Sequence, residues 1–403
     1  MARMRPILAV CVLAGLVSFS FSTLGISTSL AANKAEKDKK HFDKKMQELS
    51  STLSSLLVDV TSSKRFNSPA NFKKIDRDVK KFADLAHSVE AETLKQKVPN
   101  LDPSMVFMSS LFKQEAQRAY SALKSGNRAY ARGIIRAVSS FCIGCHTTGA
   151  GPEIKTVSSA DISHFNSAEK AEVYAATRQF EKAMAEYQNM LSDHKFAKTK
   201  QIEWEKGVRN ALAIAVRVKG DPELAMQIVD KVLETPEVPG FFKEDANVWK
   251  ASIAKWKQES KKSSTKEEDL LLEAKRLVSE ARSVQKYPAD SSGDILYMRA
   301  SERVHELLRL YPNGKYSTEA LYISGIAYEV LRDLSLWSLH ELYYESCIRK
   351  SPHTELAQDC YHRYEETIYA GYSGSAGTSV PSDVAKRLQE LKELAKTSVQ
   401  TPH

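Results

Sequence analysis

Between residues 42 and 145 apolar side chains recur at alternating spacings of three and four, the mark of helices that each bury one stripe. Phe42, Met46, Leu49, Leu53, Leu56 and Val60 make the first seam, and Phe72, Ile75, Val79, Phe82, Ala86 and Val89 the second. Met105, Met108, Phe112, Ala116, Ala119 and Leu123 make the third, and Tyr130, Ile134, Val138, Phe141 and Cys145 the fourth. Ser68-Pro69, the stretch from Asn100 to Pro103, and Gly126-Asn127 punctuate the gaps. Short connections favour antiparallel neighbours, so the pattern predicts a four-helix bundle over 34–150.

Residues 151–166 are rich in Gly, Pro, Ser and Thr, carry no seam, and read as a linker. From 167 almost to the end the pattern is helical again. Tyr174, Phe180, Ala183 and Tyr187 fall at packing positions resembling those of tetratricopeptide repeats. So do Ala213, Gly220, Ala225, Val229 and Pro236, and then Gly325, Ala327, Tyr328, Leu342, Tyr343 and Pro352. Small residues let the helices of a hairpin approach, and aromatics fill the gap to the next hairpin. Generic helix packing uses the same residue types. Tyr311-Pro312-Asn313 and Ser351-Pro352-His353 each open a new helix, at an interval longer than the usual ~34-residue period. The charged stretch 257–269 divides the expected array into 167–256 and 270–400, with a capping helix from Val384 to Leu394. The expected fold is all-α: a four-helix bundle followed by an α-solenoid of helical hairpins.

The first residues follow a different plan. A basic start with Arg3 and Arg5 precedes an uncharged apolar run from Ile7 to about Ile26, and Ser29-Leu30-Ala31 offers small residues for cleavage. This is the layout of a secretory signal peptide over 1–31, with an uncleaved membrane anchor as the alternative. No later segment is apolar enough to span a membrane. Export implies a periplasmic, oxidising location, in which Cys347 and Cys360 can form a disulfide, the alternative being two buried thiols. The composition, 42% apolar and 27% charged, is that of a globular protein. Of the formal charge of +8, Arg3 and Arg5 belong to the leader, and the remaining cations alternate with acids. That mixed surface argues against nucleic-acid binding.

One motif carries chemistry. Cys142-Ile143-Gly144-Cys145-His146 has the form C-x-x-C-H. Thiols three residues apart in a helix face one way and can both add to the vinyl groups of one haem, while the adjacent imidazole ligates the iron. A redox dithiol would call for an α/β domain, and a zinc site for a second ligand pair. Neither context is present, so the motif implies one covalently attached haem c, held by Cys142, Cys145 and His146.

With these residues in view, 34–150 resembles the cytochrome c-prime family, over a little more than a quarter of the chain. The resemblance implies a four-helix bundle with haem near the end of the last helix. The family often carries a basic residue four positions after the proximal histidine, and here that position is Ala150. Low-spin relatives use a methionine of the first helix as distal ligand, which corresponds to Met46. Other readings stay open: Met46 as core filler, ligation by His87, Met105 or Met108, or a five-coordinate iron. His41 also falls at the haem end.

These features imply an electron carrier rather than an enzyme, with a redox partner protein docked on the helical repeats. The competing expectation is a haem-based binder or sensor of small gases such as NO and CO, using an open sixth position. A scaffold with a structural haem is a third.

Overall fold

The structure is a computed structural model. It describes residues 44–57, 59–60, 63–88, 103–146, 162–163, 165–259, 264–287, 290–331, 339–375 and 377–397. Within that set the side chains of 63–64, 88, 103–108 and 139–146 lie outside the description. So do the expected signal peptide over 1–31, His41, and most of the expected linker over 151–166.

The protein is all-α. Helix α1 covers 44–57, followed by α2 (Phe72–Ser88), α3 (Pro103–Lys124) and α4 (Arg128–His146). Their buried residues follow the three-four seams: Leu49, Leu53, Leu56 and Val60 on the first segment, then Ile75, Val79, Phe82 and Ala86 on α2. Phe112, Ala116, Ala119 and Leu123 follow on α3. The Phe82 and Phe112 rings meet edge-on at 5.4 Å and lock α2 to α3. The fourth seam keeps Ile134 and Val138 but loses Tyr130. Tyr130 is 46% exposed, and Ala131, Ile134, Ile135 and Val138 are the buried stripe. At the surface the Tyr130 ring lies under Arg118 and its hydroxyl accepts from that guanidinium.

The C-terminal helices follow, most of them packed on the next in sequence. They are α5 (Ser167–Ala176), α6 (Phe180–Leu191), α7 (His194–Thr199), α8 (Gln201–Ala213), α9 (Pro222–Glu234) and α10 (Gly240–Gln258). Then come α11 (Glu267–Val284), α12 (Asp294–Leu310), α13 (Ser317–Val330), α14 (Leu339–Lys350), α15 (Glu355–Tyr372) and α16 (Ser382–Ala395). Local chemistry starts several of them. Asn166 and Glu169 form a reciprocal capping box on α5, and Asp221, followed by Pro222, caps α9. Thr354 caps α15. The Tyr311 and Ser351 turns fall where the sequence puts them, just before α13 and α15.

Buried apolar residues from Ala171 to Ala395 form one connected core. The charged stretch 257–269 therefore interrupts the helices but not the core, which continues from Trp249 and Ile253 to Leu270 and Leu271. A buried ion pair spans that stretch. Arg209 of α8 bonds Asp294 of α12 while lying over the rings of Phe242 and Trp249, and Trp249 Nε1 donates to the Ser291 carbonyl at 2.7 Å. Cys347 of α14 and Cys360 of α15 are joined in a disulfide with their Cα atoms 6.3 Å apart.

Small residues set the closest approach. A Cβ on Gly325 of α13 would lie 2.3 Å from the buried Tyr344 ring of α14. Gly133, in the middle of α4, has open space at the same position. Gly325→Ala is expected to destabilise the protein by about 1–3 kcal/mol through overpacking. Gly133→Ala is expected to stabilise it by about 0.8–1 kcal/mol through helix propensity. Urea unfolding of the two variants checks the contrast.

Candidate functional site

The four N-terminal helices pack in sequence. Ser55 and Asp59 of the first segment bond Lys74 of α2, and Ser55 also reaches Asp78 at 3.4 Å. Helix α2 packs on α3, and α3 on α4. The ring of contacts closes through arginines. Arg132 of α4 donates to the Val60 carbonyl, and Arg128 to the Phe66 carbonyl at 3.2 Å. Arg128 is held further by the Phe72 ring at 3.8 Å and by Asp76 at 3.2 Å. This end of the group is pinned by charge-assisted bonds.

The pinned end fixes the register at the other. Successive partners rise along the first segment as they fall along α4, so the two run antiparallel. Met46 is half-buried on α1. Helix α4 remains helical as far as His146. By helical periodicity positions 142 and 145 continue the buried Ala131–Ile135–Val138 stripe, and position 146 lies beside it. The side chains of Cys142, Cys145 and His146, like those of Met105 and Met108, lie outside the described residues. His87 is exposed in the last turn of α2.

This arrangement suits a haem. Cys142, Cys145 and His146 stand at i, i+3 and i+4 of α4, the spacing a covalently attached haem needs. No protein-family model, curated protein or solved structure matches this chain. Among the described residues no helix is long and apolar enough to cross a membrane.

A second polar cluster was not legible in the sequence. The chain between α8 and α9 forms a π-helical stretch over Ile214–Val218, and from it Arg217 donates to the Tyr328 hydroxyl. His305 Nε2 meets the same hydroxyl at 2.8 Å, and the Tyr328 ring stacks on Tyr343 at 5.5 Å. Four elements far apart in sequence supply these groups, so no local spacing announces them. Close by, burial pushes the Glu302 carboxyl up to about 7 against the pull of Arg303, whose guanidinium lies 2.9 Å away. Glu306 and Glu273 add like charge.

The folded protein thus holds the Glu302 proton more tightly than the unfolded chain, where a glutamate titrates near ~4.3. That contribution to stability is complete below the unfolded value and is lost as pH rises toward 7. Glu302→Gln should therefore be less sensitive to pH, gaining on the parent between pH 5 and 8 in urea unfolding. Parallel pH profiles for the two proteins would remove this assignment.

Proposed function

We propose that the protein is an exported monohaem c-type cytochrome that carries single electrons and has no enzymatic activity of its own. Residues 1–31 direct it to the periplasm. Residues 34–150 form a four-helix haem bundle related to the cytochrome c-prime family. Residues 167–256 and 270–400 form an α-solenoid of helical hairpins that docks a redox partner protein. The observation that carries the reading is the C-x-x-C-H motif at the end of α4, on the continuation of that helix's buried stripe.

The chain's own residues have distinct tasks. Cys142 and Cys145 anchor the group through thioethers, which fixes its orientation and prevents loss. His146 is the proximal iron ligand. Met46 of α1 would be the distal ligand. Haem c held in this way supplies a one-electron iron couple whose potential is raised by His–Met ligation. The aliphatic stripe around the motif excludes water and keeps reorganisation small.

The mature protein, made with the c-type maturation machinery, is expected to retain haem after denaturation, and Cys142→Ala with Cys145→Ala should lose that covalent haem. A preparation without haem would overturn the proposal. The parent should give a low-spin spectrum with a methionine-to-iron band and no response to carbon monoxide. Met46→Ala should lose the band and respond to the gas. A parent that is high-spin and binds carbon monoxide would instead favour the gas-binding reading. An unchanged spectrum in Met46→Ala would exclude Met46 as ligand.

A further inference from the structure

Along most of the chain cations alternate with acids, and the α3–α4 hairpin departs from this. Over 103–146 there are six cations, Lys113, Arg118, Lys124, Arg128, Arg132 and Arg136, against one acid, Glu115. The formal charge of the whole chain is +8, so this hairpin carries most of the excess. The two acids that border it are already engaged, Glu115 by Arg118 and Asp76 of α2 by Arg128 at 3.2 Å.

The cations fall in two rows. With Ala131, Ile134, Ile135 and Val138 turned to the core, α4 leaves Ala129, Tyr130, Gly133, Arg136 and Ala137 exposed on one face. Helix α5 also packs on α4, and these positions stay exposed beside it. Arg128, Arg132 and Arg136, each four residues from the next, run along one border of that face. Helix α3 supplies the other border: Arg118 lies over the Tyr130 ring at 5.7 Å, and Lys124 is exposed in the last turn. Like charges meet within the first row. Burial, and then the neighbouring Arg136, hold the Arg132 guanidinium below its usual range. An acid brought to this face would relieve that repulsion.

Between the rows the side chains are short. A Cβ on Gly133 would meet nothing within 4 Å, and Ala129 and Ala137 stand one turn to either side. Such a surface admits a flat protein face close to the helix. It offers a bilayer no free bulky apolar side chain to insert, because Tyr130 is engaged by Arg118.

We propose that the outer face of α4, between these cationic rows, docks an acidic protein surface, and that the redox partner meets the haem domain there. The inference rests on the electron-carrier reading above and names the chemistry of the partner: carboxylates facing Arg136 and Lys124, with the helical array holding the rest of it. Helix α4 is the element that ends in the C-x-x-C-H motif, so a partner on its outer face lies along the helix of the haem attachment positions. Opposite charge steers such an encounter, and salt weakens it.

The test uses the mature holoprotein on gold bearing a carboxylate-terminated monolayer, with an ammonium-terminated monolayer for comparison. Surface plasmon resonance reads adsorption without reference to haem, and voltammetry of the adsorbed protein reads electron transfer. Adsorption is expected on the carboxylate alone, at low salt, with loss at high salt. No adsorption on carboxylate would overturn the proposal. Lys124→Glu with Arg136→Glu should weaken adsorption at least about tenfold, whereas the same change of charge on α7, Lys195→Glu with Lys198→Glu, should leave it within about twofold. Circular dichroism establishes folding, and Lys124→Gln with Arg136→Gln takes the place of the reversal should that variant not fold. Equal losses in the two pairs would overturn the face, because net charge alone would then explain adsorption. Adsorption without a haem couple, in protein that holds covalent haem, would overturn the electron route. Tighter binding to phosphatidylglycerol vesicles than to the carboxylate monolayer would overturn the protein partner in favour of a lipid surface. A parent without covalent haem would fail the electron-carrier reading, while adsorption would still decide the face.

Discussion

The antiparallel register between the chain's first helix and Arg128–His146 is the constraint on which the candidate site depends. It is set at the end remote from the motif, where Arg128 and Arg132 donate to the carbonyls of Phe66 and Val60. The Phe66 carbonyl ends a short helix and would otherwise need water. Arginine serves here because one planar, always-charged group can bond a carbonyl and an acid while lying on an aromatic face.

The C-terminal half solves a different problem. Its helices share one continuous core into which several charged groups are drawn. The Arg209–Asp294 pair, flanked by Phe242 and Trp249, shows how such a charge is tolerated: it is paired, and its remaining surface lies on aromatic rings. Breaking one partner of a buried pair costs more than the pair contributes, so the geometry of α8, α10 and α12 is coupled through it. The disulfide between Cys347 and Cys360 closes a short loop and holds α14, the helix that also meets α3.

Much of the secondary structure was readable because amphipathic periodicity is a local property. The seams of α2 and α3 fall where the spacing puts them, and the Tyr311 and Ser351 turns precede α13 and α15. Tyr130 was misplaced because tyrosine counts as apolar in a periodicity but can satisfy its ring on Arg118 at the surface. The cluster of Arg217, His305 and Tyr328 could not be found from spacing, because it joins a π-helical stretch to two later helices.

The sequence by itself determined the helical class, the positions of most turns, and the C-x-x-C-H spacing of Cys142, Cys145 and His146. It did so because helix periodicity, turn chemistry and the C-x-x-C-H spacing all act within a few residues. Only the tertiary structure decided that Cys347 meets Cys360, that Arg128 and Arg132 reach the carbonyls of Phe66 and Val60, and that α3 lies against α14. Each of these depends on which surfaces remain free once the hairpins have formed, and that is a property of the packed whole rather than of any segment.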